Sequence, residues 1–74
     1  MHIEMAKLKR EHVRLSHEHI SIIRAIDEMI IEAQAEKREM TDAEVAAIKK
    51  HLVDIRERKG ACIEKMRELA KKAA

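Results

Sequence analysis

Seventy-four residues with no Pro, one Gly and no aromatic side chain make one small domain at most, and so short a chain buries little apolar surface alone. The richness in Ala, Glu, Lys, Arg, Ile and Met is that of long helices and coiled coils. The formal charge is only +2 with the signs interleaved, which argues against nucleic acid as a partner, since neither a basic stripe nor stacking aromatics are present.

The first element carries the apolar stripe Met5, Leu8, His12, Leu15, His19, Ile22, Ile26, Met29, Ala33. Its spacings alternate three and four without a slip, which is a heptad seam and predicts a helix over 2–38. Such a helix is a rod of roughly 54 Å. A turn is expected at 39–41. There Thr41, followed three residues later by Glu44, has the form of a capping box, with Asp42 suited to a first helical turn. The second element repeats the alternation through Val45, Ile48, Leu52, Ile55, Lys59, Cys62, Met66, Leu69, Ala73. It predicts a helix over 42–72, with Lys71 and Lys72 placed as cations at its C-terminus.

With the seam residues at a and d, Glu4, Glu11 and Glu18 fall at g of the first helix, and Arg58, Lys65 and Lys72 at g of the second. In an antiparallel pair g faces g. One register then sets Glu18 against Lys65 and Glu11 against Lys72, while Ile26 meets Ile55 and Leu15 meets Met66. The expected fold is all-α: an antiparallel, coiled-coil-like helical hairpin.

A hairpin needs one narrow seam on each helix, and this chain has more. Val13, Ile20, Ile23 and Ile30 flank the first seam, and Val53 and Ile63 lie on the corresponding flank of the second. A face this wide calls for a cover. The expectation is an oligomerisation or protein-interaction module, with these six residues forming the interface. The partner is a second copy, giving a homodimeric four-helix bundle, or a separate partner helix in the same place. A heptad this regular is compatible with natural coiled coils and with artificial design alike.

His12 and His19 occupy a positions, and Cys62 falls in the predicted layer of His19. Imidazole and thiolate are ordinary zinc ligands, so His12, His19 and Cys62, drawn from more than one chain, form the alternative expectation of a metal-binding bundle, zinc or iron. The plainer expectation is that buried polar residues in a heptad seam set register. Buried histidines would also loosen the bundle on charging below about pH 6. His2 and His17 are expected in solvent, and His51 on the surface facing Glu32. Ser16 and Ser21 lie on a regular helix with no oxyanion hole beside them, so no enzyme, no catalytic residue and no small-molecule substrate is expected.

The single cysteine excludes an internal disulfide framework and fits a reducing compartment. No apolar run reaches a membrane span, and Met1 to Lys7 lack the apolar core of a signal peptide. A cytoplasmic protein is therefore expected.

The stretch Leu15-Ser16-His17-Glu18-His19-Ile20-Ser21-Ile22-Ile23 resembles the first helix of hemerythrin-like (HHE) domains, in which a Glu-His pair leads into an aliphatic stripe. The turn and the second helix through Leu52-Val53-Asp54-Ile55-Arg56 are loosely similar. The resemblance implies a helical-bundle fold and an iron-binding role for His19. Where that family carries a His-x-x-x-Glu ligand motif, this chain reads Cys62-Ile63-Glu64-Lys65-Met66, so His19 is the one ligand the resemblance carries over.

Overall fold

A computed structural model describes residues 2–73. Two helices pack side by side, α1 over His2–Ala35 and α2 over Asp42–Ala73. Among the described residues there is no strand, and the helical hairpin read from the two seams is the observed architecture. The side chain of His2 lies outside the described residues. The molecule is a rod of 56 × 17 × 13 Å with a radius of gyration of 17.0 Å, against about 11 Å for a compact domain of this length.

Burial follows the heptads. Every seam residue of α1 from Met5 to Ala33 is buried or half-buried, as are Ile48, Leu52, Ile55, Lys59, Cys62, Met66 and Leu69 on α2. Only Val45 and Ala73, at the two ends of α2, are exposed. The dry centre is small: Leu15, Ile55 and Cys62 form one cluster, with Leu8, Ile22 and Met66 packed against it. Ala33 is the one further buried hydrophobic among the described residues.

The turn differs from expectation. α1 stops at Ala35, about one helical turn short of residue 38. Lys37 takes a left-handed backbone, φ 55°. The Arg38 amide donates to the Ala33 carbonyl and the Lys37 amide to that of Gln34, both at 3.0 Å. That pair of bonds is a Schellman motif, whose left-handed position is most often Gly. With Lys there, no Gly or Pro marked the stop in the sequence. The capping box forms as read: the Thr41 amide donates to Glu44 Oε1 at 2.9 Å, and the Glu44 amide donates to Thr41 Oγ1 at 3.1 Å. Arg38 spans the turn, with Nε 2.6 Å from Glu36 and Nη1 2.9 Å from Glu44.

An earlier stop moves the point of reversal toward the N-terminus, and the register moves with it. Glu18 pairs with Arg58 at 2.5 Å, one heptad before the Lys65 expected for it. Leu8 shares a surface cleft with Leu69. A heptad displacement lays an a/d seam back onto itself, so the apolar pattern fits both alignments equally well. The turn geometry selects between them.

Candidate association face and the polar seam

Heptad position sets which side chains the hairpin leaves over. Positions b and e of α1 lie beside the seam on one flank, and antiparallel packing brings b and e of α2 to the same side. Val13, Ile20, Ile23 and Ile30 on α1 are 54%, 49%, 43% and 37% exposed, and Val53 on α2 is 52% exposed. Ile63, on the same flank, is half-buried. Thus five of the six expected interface residues stand open to solvent, and the sixth is partly covered by the hairpin itself. Gly60 lies on this flank too, and a Cβ built there meets nothing within 4 Å. The hairpin itself does not need a glycine at that position.

The opposite flank is charged. Glu18 accepts from both terminal nitrogens of Arg58, at 2.5 and 3.4 Å, and Arg58 Nε lies 3.1 Å from Asp54. The bond from Arg58 lowers the pKa of Glu18 below the usual carboxylate value, and its reciprocal raises that of Arg58. Both side chains stay about two-fifths exposed, so the pair orients the helices more than it stabilises them. Toward the turn this flank opens into a groove that the sequence reading missed. Ile22, Ile26, Met29 and Ile48 line it together with Ala25, Ala47 and His51. The signal was Ala25, which interrupts the row of glutamates at g and is too short to close over the seam.

Within the seam, the residues expected to bind metal are engaged separately. His19 Nδ1 lies 3.4 Å from Lys59 Nζ, an ammonium placed where it would repel a metal cation on that nitrogen. The Cys62 thiol is buried and donates to the Leu8 carbonyl at 3.3 Å. The shifted register thus gives His19 and Cys62 different polar partners. His12 is half-buried. Among the described residues, no group of three or more His, Cys, Asp or Glu side chains is arranged to hold a metal ion. No buried side-chain nitrogen or oxygen among them lacks a hydrogen bond. His17 and His51 are exposed, as expected, but His51 lines the groove with Ala25 where Glu32 was expected to face it.

No described helix is long and apolar enough to cross a membrane. Comparison with protein-family models, with the curated proteins and with the solved structures finds no match to this chain.

Proposed function

We propose that the chain is a non-enzymatic association module: a helical hairpin that packs its aliphatic flank against a second copy to form a four-helix bundle. The observation that carries this reading is the surface left uncovered. A compact monomer of this mass exposes roughly 4,700 Å², whereas this chain of 8.6 kDa exposes 6109 Å². The excess, on the order of 1,400 Å², exceeds the roughly 800 Å² that each partner contributes to a standard interface. Part of it is contributed by the aliphatic row from Val13 to Ile30, where burial is most favourable. A core centred on three buried residues is also thin support for a lone hairpin, and association supplies the missing burial.

The test is solution mass by light scattering, with and without chelator and with added zinc. The expected result is twice the 8.6 kDa of one chain in all three conditions. A single-chain mass throughout the micromolar range overturns the proposal. A dimer that appears only with zinc would move the function to His12, His19 and Cys62.

A further inference from the structure

The flank of α1 reads, in order, Val13, Ser16, Ile20, Ile23, Asp27, Ile30. Reversed about the point between Ser21 and Ile22, the row maps onto itself in kind. Val13 exchanges with Ile30, Ile20 with Ile23, and Ser16 with Asp27. One heptad step beyond the row, Lys9 exchanges with Gln34 in the same way. An interface between identical subunits related by a two-fold axis requires such self-complementarity, because each contact occurs twice with the roles exchanged.

We infer, resting on the self-association proposed above, that the two copies meet α1 to α1 in antiparallel orientation. Their two-fold axis is perpendicular to the helices and passes between Ser21 and Ile22. Val13 then packs on the partner's Ile30 and Ile20 on the partner's Ile23. The Ser16 hydroxyl donates to the carboxylate of the partner's Asp27. All four aliphatic side chains are accessible for this, from 37% exposed at Ile30 to 54% at Val13, and Asp27 is exposed while Ser16 is half-buried. A parallel α1 pair would instead set the two Asp27 carboxylates together within an apolar face, where like charges are strongly disfavoured. The antiparallel pair gives each carboxylate a donor. It also brings the partner's α2 over Val53, Gly60 and Ile63, where the absent side chain of Gly60 lets a facing residue approach.

Cross-linking tests the geometry. In a Cys62→Ala background, Val13→Cys and Ile30→Cys are prepared as separate proteins, oxidised alone and after mixing through a denatured state. In the antiparallel dimer the two Val13 positions are roughly 25 Å apart, far beyond the reach of a disulfide. Each variant alone stays unlinked and the mixture yields a linked heterodimer. Linkage of Val13→Cys with itself overturns the orientation, as does a dimer by mass in which the mixture does not link. Either result leaves self-association standing, while a monomeric parent protein removes both.

A second test keeps Cys62 in place. Ser16→Lys sets an ammonium against the partner's Asp27 and tightens the dimer about fivefold, whereas Ser16→Asp weakens it by a similar factor. Weakening by both changes is the parallel result and overturns the inference.

Discussion

The two long flanks of the hairpin share the same helices and the same heptads, yet they are built for different environments. On one, Glu18, Arg58 and Asp54 form an exposed ion-pair network. On the other, Val13, Ile20, Ile23, Ile30 and Val53 are held open with nothing over them. Charges at g cost little when exposed and fix the orientation of the two helices. Aliphatic side chains at b and e add little to a two-helix seam and contribute most when covered. The chain's apolar content exceeds what its own fold buries.

Substitutions sharpen that contrast, and the largest effect belongs to the seam between the flanks. Ile55 is fully buried in the central cluster, and Ile55→Ala is expected to cost about 2–5 kcal/mol. Urea denaturation followed by helical circular dichroism measures it. On the aliphatic flank, Ile20→Glu puts a carboxylate into the proposed interface and is expected to weaken the dimer by at least about a hundredfold, roughly 3 kcal/mol. The helical spectrum at high concentration should be kept. If both the mass and the spectrum are unchanged, that flank is not the interface.

Away from both flanks, the turn responds more weakly and in the stabilising direction. Lys37 holds φ 55°, which costs a residue with a Cβ about 1 kcal/mol relative to Gly. Lys37→Gly is therefore expected to raise stability by about 0.5–1 kcal/mol, read as a rise in the denaturation midpoint. The smallest effect is acidic. The Thr41 amide, then Arg38, hold the Glu44 carboxyl down to about 2. A depressed carboxyl contributes stability that is fully present above its unfolded value, about 4.3, and is lost as pH falls through the folded one. Helicity near the turn should decline between about pH 4.5 and pH 2. Glu44→Gln should flatten that part of the acid titration, and an unchanged profile would show that the cap carries no such linkage.

Much of this arrangement was legible in the residues. The alternation of three and four marked every seam position of α1 before any packing was known. Thr41 and Glu44 located the start of α2, because a capping box is local chemistry that needs no tertiary partner. The aliphatic flank was legible for the same reason, since heptad position alone says which side chains lie beside a seam. The stop of α1 was not legible. It depends on Lys37 taking a backbone that its residue type does not announce. The groove beside Ala25 was hidden as well, because a missing side chain shows only when the helices that frame it are set in place.

The shared layer of His19 and Cys62 depended on the same point. Placing His19 and Cys62 in one layer required a register, and the register came from matching Glu18 with Lys65. Arg58, one heptad earlier, serves Glu18 equally well in charge. His19 then turns to Lys59 and Cys62 to the Leu8 carbonyl.

By itself, then, the sequence determined the helices, the faces they bury and the flank they leave apolar, because these follow from a period of three and a half residues and from local capping. The tertiary structure alone decided where the chain reverses and which turn of α1 meets which turn of α2. The physical reason is the repeat itself: a pattern with a heptad period is unchanged by a shift of one heptad, so only the geometry of the turn can choose between the alignments it allows.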